Sequence, residues 1–227
     1  MYCDYPDEAR HVARVGDTLH PSIERILALR PQLILISTAS QLESFTRQLN
    51  EQNISVYVTD PRDLEGVFQS ITNLGDLLDQ EREASNLVVA LRARTEAVER
   101  AVNSRTPVKL FFQLSAEPLY TAGRDAFVTD IIRRAGGESV TAGVPGAWPK
   151  YSAESALAAH AETIILPTGG SMGTANSSVA APLRLSPAYK AGKVYKINDD
   201  HLTRPGPRAV DGLEALARAL HPEAFIK

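Results

Sequence analysis

The sequence predicts an α/β protein of two parallel-sheet lobes joined by one long α-helix. Three observations carry that expectation. Helical and strand patterns alternate along the chain, one helix-plus-strand phrase occurs twice, and an unbroken helical run separates the two copies. The phrase reads "PSIERILALRPQLILIS" at residues 21–37 and "YSAESALAAHAETIIL" at 151–166. Ser22, Glu24, Leu27-Ala28 and Ile34-Leu35-Ile36 each precede Ser152, Glu154, Leu157-Ala158 and Ile164-Ile165-Leu166 by 130 residues. A helix start, a glutamate, a helix face and a strand held in one register point to duplication. A single continuous doubly wound sheet is the competing architecture.

The elements follow in order. In "SIERILAL", Ile23, Ile26 and Leu27 share a helical face, and "LILIS" reads as a buried strand. "QLESFTRQLNEQ" is an amphipathic helix, "ISVYVT" a strand, and a further helix starts near Asp63. Over residues 80–104, Leu87, Val88, Leu91 and Val98 keep helical spacing with no Gly or Pro. At about 1.5 Å per residue this predicts a rod of roughly 35 Å. The pattern restarts with the strand "VKLFFQL" and the helix "DAFVTDIIRRAGG", which glycine closes. The second phrase, the strand "KVYKI" and the helix "GPRAVDGLEALARAL" complete the chain, while "GGSMGTANSSVAAPLRLSPAYKAG" reads as a surface loop with short helical turns. The expected organisation is a first lobe over 1–79, a connecting helix over 80–104 and a second lobe over 105–227.

Composition narrows the function. The 227 residues suffice to bury a core, and 44% hydrophobic with 22% charged residues is ordinary for a globular chain. A net charge of −3 argues against a nucleic-acid partner. The single cysteine, Cys3, excludes an intramolecular disulfide. Apolar runs are only strand-length, and Met1 leads straight into "YCDYPDEA" with no charged-then-apolar leader.

Several residues could carry chemistry. Ser22 and Ser152 suit helix N-caps, which puts Glu24 and Glu154 in first turns. The helix dipole favours a carboxylate there by roughly 0.3–1 kcal/mol, reason enough for either copy alone. Two matched acids also suit a partner with two matched basic sites. Trp148, the sole tryptophan, stands in "VPGAWPKYS" just before a helix start. It serves either the core or an aromatic wall for a flat ligand, since loops at strand ends face the cleft in α/β bodies. Tyr120 lies beside a turn in "AEPLYTAGRD", and Tyr2 and Tyr5 flank "YCDYP". "NDDHLTRPGPR" gathers Asp199, Asp200, His201, Arg204 and Arg208. These form either a solvated cluster or an Asp200–Arg204 pair that can hydrogen-bond amides or carboxylates.

"GGSMG" at 169–173 fits the G-x-S-x-G pattern of serine hydrolases, with Ser171 followed by Asp199 or Asp200 and then His201 or His221. The nucleophile elbow requires a tight strand-to-helix turn. Pro167-Thr168 intervene before the serine, "TANSSVAAP" is a weak helix, and His221 follows a helix rather than a strand. No Gly-Lys-Ser/Thr follows the glycines, and the five histidines show no metal-ligand spacing.

"YCDYPDEA", "GDTLHPSIERILALRPQLILIS", "EPLYTAGRDAFVTDIIRRAGGES", "WPKYSAESALA" and "RPGPRAV" together resemble the helical-backbone substrate-binding proteins of bacterial ABC importers. The likeness covers essentially the whole chain and is nearest to the cobalamin (vitamin B12)-binding members. It implies two Rossmann-like lobes bridged by a long helix, the class III periplasmic-binding-protein fold, with a corrinoid in the inter-lobe cleft. It also implies a periplasmic or extracytoplasmic location, a transported ligand in place of a cofactor, no catalysis and no metal site. By the same resemblance Tyr2, Tyr120, Trp148, Asp200 and Arg204 fall on ligand-contacting positions, and Glu24 and Glu154 on those that dock the membrane permease. The repeated phrase is shared with haem and ferric-siderophore receptors, which remain the alternative ligand classes. Thr18 and Ser37 stand where the cobalamin binders present aromatics. The family's opening strand and helix, ahead of "YCDYP", have no counterpart here. The first lobe is therefore expected to expose a sheet edge or apolar face unless a partner, such as a second copy in a homodimer, covers it.

Overall fold

The structure is a computed structural model that describes residues 5–16, 20–37, 42–169 and 178–226 (main chain only at 42–44). It divides into two compact units, Met1–Asp60 and Pro61–Lys227.

The first unit contains α1 (Ile23–Leu29), β1 (Leu33–Ser37), α2 (Leu42–Glu51) and β2 (Ser55–Thr59). The two strands pair in parallel from Leu33↔Ser55 to Ser37↔Thr59, the signature of a βαβ unit. Ile26, Leu49 and Ile54 form its buried core, with Ile34, Ile36 and Val56 packed against them. Strand alternation sends Leu35 to the other side, where it is 52% exposed.

The second unit starts with α3 (Leu64–Leu77) and α4 (Glu81–Val102). Asp63 caps α3 by accepting the Gly66 amide at 2.7 Å, at the start expected from sequence. The 22 residues of α4 make a rod of about 33 Å. β3 (Val108–Ala116), β4 (Leu119–Thr121), α5 (Phe127–Arg134) and β5 (Gly137–Ser139) come next. They are followed by α6 (Ala153–Ala158), β6 (Thr163–Thr168), α7 (Pro187–Lys190), β7 (Val194–Asn198), α8 (Asp199–Leu202) and α9 (Ala209–Leu220). β3 pairs in parallel with β5 and β6, and β6 with β7, while β4 folds back antiparallel on the end of β3.

Side chains leave this sheet alternately to its two faces. Leu110, Phe112 and Ile165 join a core with α3, α4, α5 and α9, whereas Phe111, Ile164 and Leu166 pack with Ala156, Leu183 and Ala188. Helices thus cover both faces, as an α/β body with a mainly parallel sheet requires.

The boundary between units falls after Asp60, earlier than the 79/80 division expected. Leu64, Val67 and Phe68 of α3 bury in the same cluster as Leu91 of α4 and Phe112 of β3. A Cβ on Gly75 would lie 2.4 Å from the Ala84 Cβ, so only glycine permits this close approach of α3 to α4. Arg92 of α4 pairs with Glu65 of α3 at 2.7 Å, and its guanidinium sits 4.8 Å from the Phe68 ring centroid. Arg94 bonds Asp211 and Glu214 of α9 at 2.6 and 2.8 Å. The hydrogen bond to Glu214, then that to Asp211, raises the Arg94 pKa above its ordinary value. The long helix and α3 are laced into the second body.

Candidate functional site

Because β3, β6 and β7 run parallel, the segments that follow them emerge at one edge of the sheet. That carboxyl edge is where α/β bodies bind ligands. β3 turns directly into β4, and Ser115↔Tyr120 and Ala116↔Leu119 pair across the hairpin. Tyr120 therefore lies within a strand, where the sequence suggested only a position after one. The buried Thr121 hydroxyl donates to the Phe112 carbonyl at 2.7 Å, and the Thr141 hydroxyl to the Ala122 carbonyl at 2.7 Å. With Ser139 these hydroxyls form a closed polar group beneath the hairpin.

Residues 144–151 then run back along 119–125. Tyr151 donates its amide to Leu119 at 2.9 Å, Thr121 to Pro149 at 3.2 Å, Gly123 to Ala147 at 2.9 Å and Arg124 to Val144 at 2.7 Å. Tyr120 and Lys150 form a bridge. Trp148 rides on this ribbon. Its indole is half-buried, 6.2 Å from the Phe112 ring and tilted by 38°. One side of the ring packs on the core, and the remainder reaches the surface.

Asp200 and Arg204 also occupy this edge, directly after β7. The Asn198 carboxamide caps α8 by accepting the Asp200 amide at 2.9 Å. Asp199 and Asp200 are both buried, so the cluster is no solvated patch. Arg204 Nε lies 2.9 Å from Asp200 Oδ1, with side chains 35% and 7% exposed. The contact is an ion pair without hydrogen-bond alignment, which leaves Oδ1 lacking a well-directed donor. A buried carboxylate needs a nearby cation, and the arginine supplies it while its guanidinium remains accessible. α8 holds this position because Gly212 lets α9 approach: a Cβ there would lie 2.3 Å from the His201 carbonyl oxygen.

Glu24 and Glu154 are exposed in the first turns of α1 and α6. The Ser22 and Ser152 hydroxyls accept the amides of Arg25 and Ser155 at 3.3 and 3.0 Å, as the repeated phrase predicts. Ser37 ends β1 and is exposed. Tyr2, Thr18 and Ser171 lie outside the described residues.

A depression of about 380 Å³ lies elsewhere, along α5 and β5, and none of the predicted ligand residues lines it. Two of its acids, Asp63 and Asp130, have internal partners. Burial pushes the Asp130 carboxyl up, but hydrogen bonds from Arg134, the Leu64 amide and Arg133 outweigh that and hold it below the usual carboxylate range. Asp63 is committed to its cap. Among the described residues no three His, Cys, Asp or Glu side chains gather as a metal site, and no helix is long and apolar enough to cross a membrane.

Residues 2–201 match the family model described as periplasmic binding protein. The chain belongs to that family. Its members are solute-binding proteins rather than enzymes, they carry a transported ligand in place of a cofactor, and they work outside the cytoplasm. The chain is 26% identical over 228 residues to an uncharacterized ABC transporter substrate-binding lipoprotein of Bacillus subtilis, covering 97% of this chain and 71% of the relative. It is 27% identical over 220 residues to the vitamin B12-binding protein of Photorhabdus laumondii, covering 97% and 78%. A periplasmic heme-binding protein from Pseudomonas aeruginosa superposes with a TM-score of 0.81 at 22% identity, covering 96% of this chain and 82% of that one. At that identity the superposition speaks for the fold alone. The expected class of fold, two α/β bodies with a long helix, is that of these proteins.

Asp125, Thr121 and Thr141 escaped the sequence reading. Gly146, at φ +90°, was the available signal that the Trp148 loop has a built turn.

Proposed function

We propose that the chain is the substrate-binding component of an ABC importer and takes a corrinoid, cobalamin or a close relative, at the carboxyl edge of its second sheet. Tyr120, Trp148, Asp200 and Arg204 contact the ligand, and Glu24 and Glu154 dock the membrane permease.

The observation that carries this reading is the pairing of an aromatic ribbon with a neutralised ion pair at one sheet edge. A corrin ring is flat, apolar on its faces and fringed with amide arms. The indole and phenol suit the faces. Arg204 donates to amide carbonyls, and Asp200 beside it removes the net charge that a carboxylate-bearing ligand would seek. Haem presents propionates, for which a cation already paired with a buried acid is a poorer match. The likeness to a vitamin B12-binding protein over 97% of the chain supports the same choice.

Titration against cyanocobalamin, haemin and a ferric siderophore in parallel, followed by calorimetry and by the emission of the single tryptophan, tests the proposal. Cobalamin is expected to bind tightest. Tighter binding of haemin or of the siderophore would reassign the ligand.

A further inference from the structure

We infer that Asp125 is a positioning residue, which holds the Trp148 indole in its half-buried pose before any ligand arrives. The importance of that pose for a ligand rests on the reading given above; the latch itself does not.

The turn that carries the tryptophan is built around Gly146. Asp125 meets this glycine twice: its carboxylate Oδ2 accepts the Gly146 amide at 2.9 Å, and its own amide donates to the Gly146 carbonyl at 3.3 Å. The other oxygen, Oδ1, lies 3.6 Å from Arg124 Nε, so both carboxylate oxygens have cationic or amide partners. Gly146 adopts φ +90°, a conformation that a side chain would strain, and nothing else lies within 4 Å of where its Cβ would be. The turn is open on the side that its Cβ would face, and Asp125 bonds both the amide and the carbonyl of Gly146.

The neighbouring contacts confine the loop on its other side. A Cβ on Gly123 would come 2.2 Å from the Gly146 carbonyl oxygen, so the two backbones touch at a distance only glycine allows. The Thr129 hydroxyl fixes the Gly123 carbonyl at 2.7 Å from α5. Pro149 restricts Trp148 to extended backbone. Asp125 adds a side-chain bond at Gly146 to a loop that also bonds through the Ala147 and Pro149 carbonyls.

Trp148 is the sole tryptophan, so its emission reports this site alone. Asp125→Ala is expected to shift ligand-free emission to the red and to make it more readily quenched by acrylamide. Cobalamin affinity should fall about fivefold, the worth of one hydrogen bond. Asp125→Asn keeps an acceptor for the Gly146 amide and should stay near wild type in both measurements. A general loss of fold would harm both variants and the far-ultraviolet dichroism, which the latch does not predict. Unchanged quenching in Asp125→Ala overturns the inference whatever the ligand does. Raised quenching in a protein that binds no cobalamin, mutated or not, upholds the latch and defeats the ligand assignment instead.

Discussion

Arg30 and His160 stand 130 residues apart, and both hold left-handed backbone, at φ 47° and 49°. Each closes the short helix that displays an exposed first-turn glutamate, and each precedes a strand by three residues. The duplication read from the sequence therefore extends to a backbone conformation that neither residue favours. Ile26 and Ala156, again 130 apart, are the buried residues of the two helices.

A left-handed residue bearing a Cβ costs roughly 1 kcal/mol relative to glycine. Arg30→Gly and His160→Gly should each stabilise the protein, by up to about 0.6 kcal/mol after the extra entropy of glycine in the unfolded chain is subtracted. Urea denaturation measures it. Loss of stability in either variant would mean that the side chain matters more than the backbone.

Glu24 and Glu154 are exposed in the first turns of α1 and α6. Reversing both charges, with Glu24→Arg and Glu154→Arg, should leave cobalamin affinity within about twofold while reducing importer-dependent uptake sharply, since charge pairs at such contacts fix register and encounter rate. Normal uptake by the double variant would remove the docking role.

Trp148 and Arg204 should divide the binding energy unequally. Truncating a central aromatic anchor commonly costs about 2 kcal/mol, so Trp148→Ala is expected to raise the cobalamin Kd roughly thirtyfold. Arg204→Ala should also weaken binding, and it should lower stability because Asp200 is left buried without its cation. Asp200→Asn made together with Arg204→Ala should recover the stability and not the affinity. Calorimetry and thermal melts separate the two effects.

Asp130 links α5 to the start of α3 by accepting the Leu64 amide at 3.2 Å, besides its arginine partners. Its folded pKa lies below the ordinary value of 3.8. The unfolded state thus takes up the proton first as pH falls. The stabilisation is complete well above pH 4 and is lost as pH drops through the lower folded value. Asp130→Asn should melt earlier than wild type at pH 7, and the gap should close as pH falls through the lowered folded value. A gap independent of pH would show that the carboxylate charge is not what stabilises this junction.

The sequence by itself determined the class of fold, the duplicated phrase, both serine caps and the Asp63 cap of α3. These are local matters of period and capping, written within a few residues of one another. It also named Tyr120, Trp148, Asp200 and Arg204 as candidates. Only the tertiary structure decided how they are presented. Whether a charged cluster is solvated depends on what packs around it: Asp199 and Asp200 are buried, and α9 comes close to the α8 backbone at Gly212. Whether a tryptophan is core or surface depends on a ribbon that pairs 119–125 with 144–151, a register that no periodicity encodes. The unit boundary after Asp60 has the same origin. Leu64, Val67 and Phe68 have a helical spacing that would suit either body, and contact with α4 and β3 places them in the second.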